Sequence, residues 1–143
     1  MKKYLFVAVF ACFGAIIRFL LESVQINAHL FDFPVNTLLI NVAGSFVLCL
    51  ILTIGFDVWK IDADLKQGLT TGFIGAFTTF STFCKETVLL MQQNKLFVAG
   101  TYIAASLALG ILAAFAGCLL GDRINHSFRK RIVMTDEREG DTQ

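Results

Sequence analysis

Charge is scarce in this sequence: only 16% of its 143 residues are charged, whereas 56% are hydrophobic. A soluble domain carries about 25% charged residues and far less apolar sequence. The composition therefore excludes an ordinary soluble domain and predicts a membrane protein of a single domain. No nucleic-acid partner is expected for this chain.

Metal-binding and catalytic patterns are also absent. The four cysteines have no C-x-x-C spacing and fall in four different apolar stretches, so neither a zinc site nor a disulfide framework is predicted. We interpret them as small buried hydrophobic residues. No nucleophile, base and orienting group occur in a catalytic arrangement, so we expect no enzyme. These cysteines are Cys12, Cys49, Cys84 and Cys118.

Long stretches with little or no charge are what the sequence has instead. Four of them are near or above the roughly 20 residues that cross a bilayer as a helix. The first follows Met1-Lys2-Lys3 like a signal peptide, but it stays apolar through Leu21, which favours a retained helix. We predict an all-α domain over residues 1–121, with a charged, partly disordered tail over 122–143. The stretches are residues 4–21, 35–56, 68–84 and 96–121.

The third stretch combines features that do not suit one continuous helix. Residues 72–83 read GFIGAFTTFSTF, in which two glycines and four hydroxyls alternate with aromatic rings. Glycine weakens a helix, and hydroxyls gain little against lipid. A helix broken at membrane depth can use both, if its freed backbone groups face protein, water or an ion. We predict a break over residues 72–79.

Polar residues recur along the other spans. Thr37, Asn41 and Ser45 follow one another at i+4 steps on one helix stripe. Helix packing explains the small residues around them, whereas a buried amide favours a functional role for Asn41. On the fourth span, Tyr102 and Ser106 lie one turn apart. On the first, Arg18 either pairs with Glu22 at i+4 or marks the mouth of an anion pathway.

An aromatic pair completes the pattern. Phe80 and Phe83 share a helix face, and Ser81 and Thr82 place hydroxyls beside them. Such a pair is commonly core packing, but ring edges are electropositive and can contact a small dehydrated anion. Together with Asn41 and Thr37, these groups suit a compact anion.

These residues resemble the signature of the Fluc (CrcB) bacterial fluoride channels. The 72–83 string, the 37–46 string TLLINVAGSF and the 14–18 string GAIIR match it in order and spacing, as do Tyr102 and Ser106. The resemblance implies an antiparallel dimer with two fluoride pathways and a structural Na⁺ on the dimer axis. It places Na⁺ on the backbone carbonyls of Gly75 and Thr78. It also implies the following site: an anion pathway of Asn41, Phe80, Phe83, Thr37, Ser81, Thr82, Ser106 and Tyr102, and a vestibule of Arg18 and Glu86.

Two features depart from the family pattern. Gly110 and Ala114 stand where the resemblance implies further hydroxyls after Ser106, and Lys85 stands where a small residue is usual. We expect passive fluoride export across a bacterial cell membrane by this multi-pass chain, in a homodimer or a heterodimer with an inverted homologous chain. The alternatives are an accessory subunit of a heterodimeric channel and a small proton-coupled exporter, which would need a membrane-embedded carboxylate.

The basic residues are distributed unevenly between the two sides. Nine lie on the side of the termini, whereas Lys95 is the clear loop lysine on the other side. Basic residues accumulate in cytoplasmic loops, so both termini are predicted to be cytoplasmic. The nine are Lys2, Lys3, Lys60, Lys66, Arg123, Arg129, Lys130, Arg131 and Arg138.

Overall fold

The computed structural model describes the backbone of residues 2–24, 33–57 and 62–140, and the side chains of these ranges other than 56–57 and 129–140. Lys60 of the charge count lies outside them. All regular elements in the described ranges are helices. They are α1 (Lys2–Ser23), α2 (Val35–Asp57), α3 (Ala63–Gln67), a π-helical segment (Gly68–Ile74), α4 (Gly75–Phe77), α5 (Phe80–Gln92) and α6 (Leu96–Gly140).

Three helices are long and apolar enough to cross a membrane unbroken: Lys2–Ser23, Val35–Gly55 and Leu96–Phe128. At 1.5 Å per residue, the 22 residues of α1 extend about 33 Å, which matches a hydrocarbon core of about 30 Å. The remaining crossing, residues 63–92, consists of α3, the π segment, α4 and α5 in succession. The predicted class, an all-α membrane protein with a broken third crossing, is confirmed.

The break is narrower than the sequence predicted. The chain stays helical through Gly72 and Gly75, and only Thr78 (φ −76°, ψ 155°) and Thr79 (φ −141°, ψ 117°) are extended. Neither glycine has a positive φ. The expectation of a break over all of residues 72–79 is therefore wrong in its extent. The two threonines form the interruption. Thr78 follows the last residue of α4, and Thr79 caps the start of α5 with its own hydroxyl.

Glycines instead bring the helices together. A Cβ on Gly14 of α1 would overlap the carbonyl oxygen of Phe73 in the π segment, and one on Gly117 of α6 would overlap that of Phe46 in α2. Small residues of this kind let membrane helices approach closely. Gly100 differs, since a Cβ there would meet no atom within 4 Å. Only part of the small-residue face of α6 is thus used for packing within the protomer.

The small buried core sits beside the break. Leu38 of α2, Leu90 of α5, and Ala99 and Tyr102 of α6 form one cluster, and Phe83 packs against it. This cluster fixes α5 between α2 and α6. The side chains of α5 that precede Leu90 are thereby positioned relative to both long helices.

Helix α6, which forms the fourth crossing, continues past the predicted domain boundary at Gly121. α6 passes through Gly121, which packs against Thr53, and its backbone is helical to Gly140. Asn125 donates a hydrogen bond from Nδ2 to the Thr53 carbonyl over 3.0 Å, so α6 stays attached to α2 beyond Gly121. The predicted partial disorder of residues 122–143 stays a prediction.

Candidate ion pathway at the broken helix

Asn41, in the second turn of α2, contacts the break. Its Nδ2 donates to the carbonyl of Thr79 over 3.0 Å, and the Thr79 amide donates back to Asn41 Oδ1 over 2.8 Å. One side-chain amide thus satisfies both backbone groups of an extended residue, in a region where water is not available to do so. A carboxamide has two N–H donors, so one remains after this contact.

Hydroxyl groups cap the second half of the crossing. Thr79 Oγ1 accepts from the Thr82 amide over 3.2 Å and donates to Thr82 Oγ1 over 2.9 Å. Ser81 Oγ lies 3.3 Å from Thr79 Oγ1. The first N–H groups of α5 therefore lie inside the crossing, where their partial positive charge favours an anion.

Two backbone carbonyls lose their helical donors at the break. The Thr79 amide, which an unbroken helix would offer to the Gly75 carbonyl, donates to Asn41 instead. The Thr82 amide, which would serve the Thr78 carbonyl, donates to the Thr79 hydroxyl. These carbonyls belong to the two residues predicted to hold Na⁺. Gly75 is exposed, and Thr78 lines an open cavity of about 260 Å³ beside α2.

The two phenylalanines have different surroundings. Their ring centroids are 5.9 Å apart. Phe83 packs on Tyr102 with centroids 5.1 Å apart, so it belongs partly to the core. Phe80 is 77% exposed and borders the cavity at the break. The structure therefore brings the pair together, and it leaves Phe80 for a contact outside the protomer.

Glu86, which is partly buried, accepts two hydrogen bonds from side chains of α2 and α6. Its Oε1 accepts from Thr37 Oγ1 over 2.9 Å, and its Oε2 accepts from the Tyr102 hydroxyl over 2.8 Å. Thr37 and Tyr102 are almost fully buried. Each hydroxyl has a single hydrogen, and here it is given to the carboxylate. These two predicted pathway residues are not free to donate to an anion while Glu86 holds them.

Ser106 is the pathway hydroxyl that stays unused. Its Oγ is buried and has no hydrogen-bond partner among the described residues. Ser45 Oγ, by contrast, donates to the Asn41 carbonyl over 2.9 Å. Three donors of the predicted pathway therefore have no acceptor among the described residues: the Ser106 hydroxyl, the second N–H of Asn41 and the Thr82 hydroxyl, which only accepts from Thr79.

Arg18 is placed apart from this group. Its Nε lies 3.9 Å from Glu22 Oε1, and both side chains are about one-third exposed. This is the i, i+4 pair that was one of the two interpretations of Arg18. Within the described ranges, no hydrogen bond or ion pair joins Arg18 to the residues around Thr79.

Comparison with known families agrees with this arrangement. Residues 5–118 match the family model described as CrcB-like protein, Camphor Resistance (CrcB). The matched range includes every residue assigned above to the candidate ion pathway, from Arg18 to Ser106.

The chain belongs to the CrcB-like family.

Several curated relatives of this CrcB-like chain are named fluoride-specific ion channels. This chain is 40% identical over 129 residues to "Fluoride-specific ion channel FluC 2" of Carboxydothermus hydrogenoformans, and the match covers 90% of this chain and 94% of the relative. It is 42% identical over 123 residues to "Fluoride-specific ion channel FluC" of Acidobacterium capsulatum, covering 85% and 98%. The protein of the same name from Vibrio cholerae is 38% identical over 112 residues, covering 78% and 89%.

Gly110 has room for a side chain in this CrcB-like fold. A Cβ there would lie 3.9 Å from Ser45 Oγ, an ordinary contact distance. The hydroxyl that the resemblance implied at this position is thus missing from the sequence, although the fold can accommodate it.

Sequence analysis missed two features of the site. One is Thr79, whose peptide is the partner of Asn41; the second is the bridge from Glu86 to Thr37 and Tyr102. The signal for the first was available, because a Thr-Thr pair before a helix-forming run is a typical N-cap pattern. The bridge joins three helices and has no signal in local spacing.

The contact between Asn41 and Thr79 predicts a large effect of Asn41→Asp. The carboxylate can still accept from the Thr79 amide, but its second oxygen faces the Thr79 carbonyl without a hydrogen. We expect a loss of about 1–3 kcal/mol of stability and slower anion flux. Thermal unfolding in detergent and flux from vesicles measure the two effects.

Asn36→Asp is the matched control, because Asn36 donates to the Val24 carbonyl at an exposed end of the same helix. It should behave like the natural chain. Natural stability and flux in Asn41→Asp would show that the contact is dispensable.

Proposed function

We propose that this chain is a fluoride-selective ion channel that lowers cytoplasmic fluoride by passive export. The observation that carries the proposal is the family match over residues 5–118, with relatives named fluoride-specific ion channels. Those names describe ion channels, in agreement with the expectation that the chain is not an enzyme.

The geometry of the break supports a small anion as the transported species. Fluoride must exchange its hydration water for other donors in a narrow pore. The second N–H of Asn41, the unpaired hydroxyl of Ser106 and the amino end of α5 supply such donors. The ring edges of Phe80 and Phe83 add weaker positive partners.

An accessory subunit remains the second candidate. Gly110 and Ala114 leave the stripe that follows Ser106 without hydroxyls. A heterodimer could then use the polar groups of a second chain for conduction. Flux from this chain alone separates the two functions.

Purified chain in fluoride-loaded vesicles should release fluoride to an external electrode and retain chloride. Phe80→Ile and Phe83→Ile should each slow the release by about three- to tenfold, because isoleucine fills the space without an electropositive edge. Phe97→Ile is the matched control, since Phe97 is 87% exposed at the start of α6.

Equal release of chloride would refute selectivity, and no release of either ion would favour the accessory subunit. Natural flux in both phenylalanine variants, with the same elution volume in size exclusion, would show that Phe80 and Phe83 serve only in packing.

The same proposal includes a structural Na⁺ on the carbonyls of Gly75 and Thr78 from two protomers. Support comes from the donors that these carbonyls lose at the break, since unwound backbone carbonyls are hard oxygen ligands that suit Na⁺. The ion would stabilise the meeting of two broken helices and would take no part in transport. The exposed position of Gly75 is compatible with a contact to a second protomer.

Replacement of sodium by N-methyl-D-glucamine should therefore lower the thermal stability of the assembly and its flux. Thr78→Ser should be mild, because serine keeps the carbonyl and the hydroxyl that donates to Ile74. Gly75→Val should disrupt the dimer, although a Cβ on Gly75 meets no atom of its own protomer. Stability and flux that ignore the loss of sodium would contradict this site.

The proposed assembly is an antiparallel dimer, and the charge distribution favours an inverted homologous chain as the partner. Nine basic residues on the side of the termini, against Lys95 in the opposite loop, favour one orientation with cytoplasmic termini. A partner with hydroxyls in place of Gly110 and Ala114 would complete one pathway.

Reporter fusions at the carboxyl terminus should accordingly be active only as cytoplasmic fusions. An equal division between cytoplasmic and external reporters, together with full fluoride flux from this chain alone, would establish a dual-topology homodimer and overturn the orientation proposed here.

A further inference from the structure

One face of α5 carries polar side chains that the protomer leaves uncovered. Ser81, Lys85 and Gln92 are all exposed, and at 100° per residue they fall within about 40° of one another on the helix. Thr87 and Leu90, which are buried, point to the opposite side. We call the three exposed residues the α5 polar stripe.

Lys85 is a charged residue close to the break. It is five residues beyond the start of α5, or about 7 Å along the helix, whereas half a hydrocarbon core is about 15 Å. A charge at such a depth is costly in lipid and is usually found facing water or a counter-charge.

The carboxylate of Glu86 follows Lys85 directly in the sequence, but its hydrogen bonds are made to other residues. In the ranges that the structure describes, Lys85 has no ion pair, and the adjacent Glu86 gives both carboxylate oxygens to Thr37 and Tyr102. Lys85 therefore does not pair with Glu86. The ammonium group is left to water or to groups outside this protomer.

The stripe is continuous with the break. Ser81 Oγ lies 3.3 Å from Thr79 Oγ1, which caps α5 beside the contact to Asn41. At the opposite end, Gln92 is the last residue of α5. Val88, which is 50% exposed, lies on the same face between Lys85 and Gln92, so the part of the stripe next to the break consists of Ser81 and Lys85.

We propose that the α5 polar stripe lines a water-filled mouth of the anion pathway, and that Lys85 concentrates fluoride there. The inference rests on the proposed fluoride channel and adds an access route and a residue that sets its electrostatics. A fixed positive charge raises the local anion concentration, so its effect is largest at low fluoride and low ionic strength.

The test uses Lys85→Cys in a chain whose four native cysteines are replaced by alanine. We expect about tenfold slower flux at low fluoride, and a smaller loss when an inert salt is added. Aminoethyl methanethiosulfonate, which restores a positive side chain, should recover the flux. The neutral methyl reagent should leave flux low, and the sulfonatoethyl reagent should lower it further.

Leu107→Cys is the matched control for accessibility, because Leu107 is a 62% exposed apolar residue of α6. It should react slowly with both charged reagents. Reaction of Lys85→Cys only with lipid-soluble N-ethylmaleimide, at natural flux, would place Lys85 in lipid and overturn the proposal while the fluoride function stands.

Variants in the natural background decide the question if the cysteine-free chain does not transport. Lys85→Arg should keep the natural flux and its dependence on salt. Lys85→Gln should show about tenfold slower flux at low fluoride and a weaker dependence on salt. Equal flux from these two variants at low fluoride would overturn the role of Lys85. Loss of all fluoride flux from the natural chain itself would instead refute the proposed function.

Discussion

The pair of hydrogen bonds between the Asn41 side chain and the Thr79 peptide is the contact on which the rest of the site depends. A helix that breaks inside a membrane exposes N–H and C=O groups, and each costs several kcal/mol if no partner is found. Asn41 supplies a donor and an acceptor at 3.0 and 2.8 Å. With Thr79 held extended, its hydroxyl can cap α5, and the amino end of that helix is fixed at the interior of the crossing.

Several hydroxyl groups of the predicted pathway already donate their hydrogen within the protomer, and this limits the donors that an anion could use. Thr37 and Tyr102 give their only hydroxyl hydrogens to Glu86, and Ser45 gives its hydrogen to the backbone of Asn41. Among the described residues, the donors that remain are the Ser106 hydroxyl, one N–H of Asn41 and the Thr82 hydroxyl. The carboxylate of Glu86 thus competes with any anion for two of the donors along the pathway. A passing anion would have to share or displace these contacts.

Several residues near the break are exposed on the surface of the protomer. Phe83 is packed on Tyr102, whereas Phe80 is largely exposed at the edge of an open cavity. Gly75 and Lys85 are exposed as well, each within the third crossing. A soluble protein could leave such groups to water, but in a bilayer polar groups at this depth need protein or a hydrated route. These exposed polar groups are the observations on which the proposed assembly of two chains rests.

The sequence by itself determined the class, the four crossings and the neighbourhood of the break, because hydropathy and the mixture of glycine, threonine and phenylalanine are local properties. It also placed Asn41 in one predicted pathway with Phe80 and Phe83. It did not determine the break's extent or the π segment, since Gly72, which suggested a wide interruption, serves close packing against α1, and Gly75 stays helical. Only the tertiary structure decided which donors are used. Asn41 and Thr79 are 38 residues apart, and Thr37 and Glu86 are 49 apart. Partners at such separations are chosen by how helices pack, and the periodicity of one helix carries no information about the register of another.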